Sequence, residues 1–539
     1  MFINFKRGEK KLHTNNTSRS NTSQTLNKWL DFRLQLFFEG IITGLLAGGA
    51  VISYRILLDK SENLRNAVYL ILKNGEWSLT LLWFCFLIAI GVLLGYLVKK
   101  EPDISGSGVS QVKGILHGYL KVNWFRILYS KFFGGVLAIF GGLSLGLAGP
   151  SVQLGATMGQ GFSRFLGRLR IEEKFLITSG ASAGLAAAFN APLAGVIFSL
   201  EEMHKNFSHH VLTSAMAASL TADFLSQSFF GQEPLFSFPT LSTFPLRNYP
   251  YLIILGLIIG IFGVIFNITL IKSLNIFQRI PLPAHFRPVI PLIIAGLLGF
   301  VLPEVLGGGH HLVNLLSTTH LSLSFLLILL VLKLFFTMIS YGSGVPGGIF
   351  LPLLVIGALA GNVYGILVCE YFSVDSQFIN NFTILAMAAF FTAIVKAPIT
   401  GSILITELTG SFSHLLAMIT VSMSAYIISE LMNSKPIYDV LLNRILKNKN
   451  KSLSDENKEK IIIEVPVCLG SNLENKCIKD IQWPHSCLLV GIERGGQEII
   501  PKGDTKIFAG DYLIALTDET EEVSTRKKLQ TLASEKTIY

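Results

Sequence analysis

Long apolar blocks are what most constrain this chain. They run roughly through residues 34–57, 80–98, 127–149, 250–275, 287–302, 323–340, 349–368 and 400–432. A bilayer core about 30 Å thick needs roughly 20 apolar helical residues to cross it. Lipid offers no partner to a free backbone N–H or C=O, so segments of this kind must be helices. Only 15% of the residues are charged, against about a quarter in soluble proteins, and this rules out an ordinary cytosolic domain. Several blocks are interrupted by glycine and proline, which predicts broken helices rather than a simple bundle.

The flanks differ from the blocks. Residues 1–33 are polar and contain Lys6, Arg7, Lys10, Lys11, Arg19, Lys28 and Arg33 against Glu9 and Asp31. This composition predicts a disordered segment held in the cytoplasm. Residues 34–449 are expected to form the membrane domain, 450–459 a charged linker, and 460–539 a small soluble α/β domain, also cytoplasmic. In that last part, Ile461–Ile463 and Cys487–Val490 read as short strands between turns such as Glu493-Arg494-Gly495-Gly496 and Lys502-Gly503-Asp504. The net charge of +9 reflects these flanks and suits anionic lipid rather than nucleic acid. None of the five cysteines has metal-ligand spacing, no metal site is expected, and those of the tail should be reduced thiols.

The membrane part repeats itself. Gly106-Ser107-Gly108-Val109 recurs as Gly342-Ser343-Gly344-Val345. Ala191-Pro192-Leu193-Ala194-Gly195 followed by Glu201 recurs as Ala397-Pro398-Ile399-Thr400-Gly401 followed by Glu407. Two motifs in the same order point to two related halves, and such transporters place their substrate site where broken helices meet. Three glycine-rich breaks, Gly106–Gly108, Gly146–Pro150 and Gly344–Phe350, each precede a helix-compatible stretch. Exposed N–H groups and the positive dipole end at a helix start attract an anion.

The segments GSGVSQVKG, GLAGPSVQLGA, GLAAAFNAPLAGVIFSLEEM, GSGVPGGIFLPLLVIGALAG and KPIY are similar to the signature segments of the CLC family of chloride channels and transporters. The resemblance covers roughly residues 34–449. It implies an all-α polytopic membrane protein of inverted repeats with many tilted and broken helices, a homodimer in the plasma membrane with a separate anion pathway in each subunit. It also implies that chloride is bound by the Ser107 and Tyr438 hydroxyls and by the backbone N–H groups of Ile349 and Phe350. Lys131 is implied as an anion-attracting cation, and Glu202 falls at the family's internal proton-transfer position.

One departure bears on mechanism. The family's second motif usually carries a glutamate that gates the outer site and carries the exchanged proton. Here the motif reads Gly146-Leu147-Ala148-Gly149-Pro150, placing Ala148 beside Gly149 at the outer gate, with no replacement acid nearby in sequence. The expectation is therefore passive chloride movement. Proton-coupled exchange through an atypical gate is the alternative, and a potassium-uptake subunit and a fluoride exporter are more distant ones. Neither an enzyme nor a cofactor is expected. Residues 461–517 resemble the TrkA C-terminal domain, which implies a regulatory module that binds a nucleotide or serves only for dimerisation.

Overall fold

The computed structural model describes residues 20–73, 75–205, 209–238, 241–319, 321–449, 460–485, 487–495, 497–518 and 521–534. The chain divides into two compact units, Met1–Arg444 and Ile445–Tyr539. The first helix, Ser20–Lys73, starts well before the boundary expected at residue 33. Leu26, Trp29, Leu30 and Phe32 continue its apolar spacing toward the N-terminus. Disorder expected before Ser20 and the linker at 450–459 lie outside the described residues.

Among the described residues, eight helices are long and apolar enough to cross a bilayer. They differ instructively from the apolar blocks. The span Ser376–Val395 was not singled out because Asn380, Asn381, Thr383 and Thr392 dilute its sequence. It is nonetheless the most enclosed span, with Asn381, Thr383 and Thr392 all fully buried. The block 127–149 instead holds a shorter helix, Trp124–Phe140, followed by a break. The block 400–432 divides into Pro398–Thr409 and Leu415–Leu431.

The two halves follow one plan, but the pairing of their first motifs differs from the one suggested by the sequence. Gly106 and Gly108, at φ +67° and +98°, lead into the helix Val109–Leu116. Their structural counterparts are Gly307 and Gly309, at φ +61° and +88°, which lead into His310–Thr318. Gly342 instead ends the helix Leu323–Gly342. The two GSGV strings look alike because both need a left-handed glycine, and here that need arises at opposite ends of helices. Lys131 confirms the corrected pairing. Its Nζ donates to the carbonyls of Ile104 and Gly106 at 2.8 and 2.6 Å, while Lys333 does the same to Val305 and Gly307 at 2.8 and 2.9 Å.

The second motif pairs as expected. Asn190 and Lys396 take left-handed conformations that end one helix, and after a single residue Pro192 and Pro398 start the next. Proline suits a first turn because its missing N–H had no helical partner there. Glu201 then accepts from the N–H groups of Ile399 and Thr400, at 3.3 and 2.7 Å, while Glu407 accepts from those of Leu193 and Ala194, at 3.1 and 2.8 Å. Each helix therefore caps the start of the other, so the two run antiparallel. This reciprocity is what a two-fold relation that reverses helix direction requires.

Close packing depends on small residues. A Cβ added at Gly155, Gly159, Gly180 or Gly184 would run into the backbone of the facing helix, where Ala148–Phe165 lies against Arg170–Phe189.

The second unit is a four-stranded antiparallel sheet of β1 Lys460–Pro466, β2 Cys487–Arg494, β3 Gln497–Ile499 and β4 Tyr512–Asp518, in the order β1-β4-β2-β3. The helix Glu522–Ser534 supplies Leu529 and Ala533 to a core with Ile463, Val465, Leu513 and Ala515. Strands were expected at β1 and β2, and the Arg494-Gly495 turn forms their hairpin with β3. Arg494 grips Asp511 with two bonds of 2.7 and 2.8 Å. Burial pushes the Asp511 carboxyl up, but Arg494 and the Phe508 N–H outweigh it and hold it below the usual carboxylate range.

The reciprocal caps yield a prediction. Charged hydrogen bonds to helix N–H groups contribute on the order of 2 kcal/mol each site. Glu201→Ala and Glu407→Ala should therefore lower thermal stability in detergent by similar amounts. A large loss in one and none in the other would contradict the two-fold relation.

Candidate functional site

The three glycine-rich breaks meet. The Gly106 N–H donates to the Val345 carbonyl at 3.1 Å, and the Gly347 N–H returns a bond to the Gly106 carbonyl at 3.0 Å. Gly146 and Gly348 exchange bonds of 2.7 and 2.9 Å. The Ser105 hydroxyl adds a bond to the Gly344 carbonyl at 2.8 Å. Backbone groups freed by the breaks thus satisfy one another deep in the membrane unit. This is how irregular backbone is tolerated away from water.

Three helix starts emerge from this junction: Val109–Leu116, Ala148–Phe165 and Phe350–Phe372. Gly149 lies so close to Ser107 that a side chain there would collide with the serine hydroxyl and carbonyl. Pro150 and Pro352 each occupy the third position of their helix, leaving the N–H groups ahead of them as the donors at each start. Ile349 caps the last helix and is fully buried, and Phe350 is nearly so.

Ser107 and Tyr438 come together at this junction. Both are buried with their hydroxyls near each other, and among the described residues neither makes a hydrogen bond of normal length. Tyr438 is held by two contacts. Its carbonyl accepts from the Ser110 hydroxyl at 3.0 Å, and its ring lies edge-on to Phe198 at 6.3 Å. Phe198 packs in turn against Phe350 at 6.1 Å. A buried hydroxyl without a partner costs about 1–3 kcal/mol. An acceptor without its own protons, placed between the two, would satisfy both and also meet the amide-bearing end of the Phe350 helix. A dehydrated monovalent anion has that chemistry.

Lys131 is fully buried, with its ammonium bound to the loop that leads into Ser107. Instead of reaching for a membrane surface, it is fixed to the carbonyls on either side of Ser105. It thus places one positive charge behind the loop that carries Ser107 while setting that loop's shape. Ala148 begins its helix and is 1% exposed.

On the other side lies an ion-pair chain that sequence reasoning found only in part. Glu202 is buried and paired with Lys113 at 2.9 Å. Lys113 also pairs with Asp439, the neighbour of Tyr438, and Asp439 with Lys205 at 3.0 Å. Lys113 was missed although it lies in the GSGVSQVKG segment, six residues past Ser107. Its helical position gave no sign that a carboxylate from another segment would face it. Acids also stand nearer the outer-gate position than the sequence suggested. Asp59 and Glu62, on the first helix, line a cavity that shares Leu147 as part of its wall.

Comparison with known proteins agrees with this geometry. Residues 90–430 match the family described as voltage gated chloride channel, and residues 462–529 match the TrkA-C domain. The chain is 34% identical over 387 residues to the H(+)/Cl(-) exchange transporter ClcA of Vibrio cholerae, covering 70% of this chain and 82% of that protein. It is 30% identical over 439 residues to ClcA of Salmonella schwarzengrund, covering 79% and 92%. Among solved structures, a slow cyanobacterial Cl-/H+ antiporter aligns with a TM-score of 0.73 at 31% identity, over 77% of this chain and 99% of that one. A CLC-type fluoride/proton antiporter aligns with a TM-score of 0.62 at 26% identity, over 74% and 96%.

Removing either orphaned hydroxyl should weaken halide binding. Ser107→Ala and Tyr438→Phe are each expected to raise the chloride dissociation constant about tenfold, the worth of one hydrogen bond to a charge. Isothermal titration of the purified protein with chloride measures this. Unchanged affinity in both variants would mean that the hydroxyls do not face the ion.

Proposed function

The chain belongs to the voltage gated chloride channel family, and on that footing we propose that it carries chloride passively across the plasma membrane, between Ser107, Tyr438 and the N–H groups of Ile349 and Phe350. The single observation that carries the passive reading is Ala148. It begins the helix that touches Ser107, and a methyl group there can neither bind a proton nor compete with an anion. Obligatory exchange needs a group whose protonation excludes the anion, and the outer end of this site has none in its own helix.

Lys131 supplies positive potential without touching the ion, which leaves the site weak enough for release. Membership of the family supports a homodimer, and because all four binding positions lie within one chain each subunit would hold its own pathway. The basic flanks support a cytoplasmic location for both termini. The TrkA-C tail is proposed as the regulatory module, with or without a bound nucleotide.

Coupled chloride/proton exchange is the second reading, and specific observations favour it. The curated relatives and the solved structures described above are named as exchangers or antiporters. Glu202 is buried and paired with Lys113 near Tyr438, and Asp59 and Glu62 stand in the cavity beside Leu147. These residues could carry protons only by a route that bypasses Ala148.

Simultaneous chloride and proton recording in proteoliposomes separates the readings. Passive movement predicts chloride flux without uphill proton transport; a chloride gradient that drives protons uphill would establish exchange instead. Ala148→Glu should introduce pH dependence with a definite sign. An ionised carboxylate competes with chloride and a protonated one does not, so flux through the variant should rise as pH falls. Flux that stays independent of pH would place this side chain outside the pathway.

A further inference from the structure

The cavity beside Leu147, of about 280 Å³, gathers groups with a different chemistry. Asp59 and Glu62 lie one turn apart on the first helix. His310 and His311 open the helix His310–Thr318, turned toward the cavity by the left-handed Gly307 and Gly309. A Glu62 carboxylate oxygen and one ring nitrogen from each histidine lie within 4.8 Å of one another. Glu62 Oε2 lies 4.0 Å from His310 Nδ1, and the two imidazole centroids are 3.9 Å apart.

Arg65 and Lys333 lie near enough to attract the Glu62 carboxylate, but among the described residues no arginine or lysine makes a close ion pair with it. Arg55 donates to the Asn190 side chain and lies over the Phe230 ring, Arg65 donates to the Ile139 carbonyl at 2.9 Å, and Lys333 is bound to the Val305 and Gly307 carbonyls. Of these three, Arg55 lines the cavity together with Asp59, Glu62, His310 and His311.

Two imidazoles and one carboxylate form a familiar ligand set for zinc, with the fourth position left open. Metal–ligand bonds of about 2.0–2.2 Å bring tetrahedral ligand atoms roughly 3.5 Å apart. The present set closes to that spacing by turning side chains, and His311 is exposed and free to swing. We propose that Glu62, His310 and His311 bind a divalent transition metal of the zinc class, with Asp59 a further oxygen donor lining the same cavity. The open position faces a cavity walled by Leu147 and Leu351, the immediate neighbours of Ala148 and Phe350. A bound dication there takes chloride as its fourth ligand, holds it at the mouth of the pathway and slows passage.

Titration calorimetry of the full chain with ZnCl2 tests the site without relying on transport. One zinc per chain is expected at micromolar affinity, weakened at least tenfold by Glu62→Gln and by His310→Ala. His311→Ala, at an exposed position, guards against misfolding of the other two. Absent binding, or binding that all three variants leave unchanged, overturns the proposal. Zinc should also slow chloride efflux from proteoliposomes of the unmodified protein and leave His311→Ala efflux unaffected. Equal inhibition of both would overturn the link between this site and the pathway.

Discussion

The fold depends on a requirement that lipid imposes: every backbone N–H and C=O freed by a broken helix must find a partner inside the protein. Here the breaks supply one another. Gly106, Gly146, Gly347 and Gly348 exchange main-chain bonds across three segments distant in sequence, so none of the breaks is satisfied alone. The helix starts that gather around the Ser107 and Tyr438 hydroxyls are a consequence of this mutual dependence. Opening the site toward an ion by moving one helix start would expose amides on the others, which favours a rigid site.

A second layer of constraint comes from buried charge. Lys131 and Lys333 are fully enclosed, and each is tied down by two carbonyls. An ammonium group in such a place is expensive unless its donors are engaged. Both lysines meet that condition by fixing a left-handed turn, so the cost of burying the charge and the cost of bending the chain are offset together. Glu202 is handled differently, by an ion-pair partner, Lys113, that itself reaches Asp439 next to Tyr438. The ion-pair chain is thereby coupled electrostatically to the backbone that carries Tyr438.

Much of this was legible in the sequence, for identifiable reasons. Glycine-rich breaks and the proline starts at Pro192 and Pro398 announce themselves because few residues satisfy those backbone conformations. The membrane class and the strands of the tail followed from apolar run length and turn residues. What escaped depended on contacts distant in sequence. Ser376–Val395 is enclosed by other helices, so its polar residues hid it from a reading based on hydrophobicity. Gly307–Gly309 lacks the serine that made Gly106–Gly108 conspicuous, and the closer textual match at Gly342 led to the wrong partner. Lys333, in the apolar run 323–340, carried the same signal as Lys131 and could have revealed the true pairing. The convergence of Glu62 with His310 and His311 spans nearly half the chain and leaves no local trace.

The corrected pairing has a consequence for how such a molecule specialises. In the first half the clamped turn presents Ser107, and in the second its counterpart is Gly308, which offers backbone alone. Both turns keep the same lysine, the same glycine conformations and the same short helix behind them. The same architecture thus carries a hydroxyl in one half and bare backbone in the other. That hydroxyl-free turn opens its short helix on two adjacent imidazoles, where the first half opens its own on Val109 and Ser110.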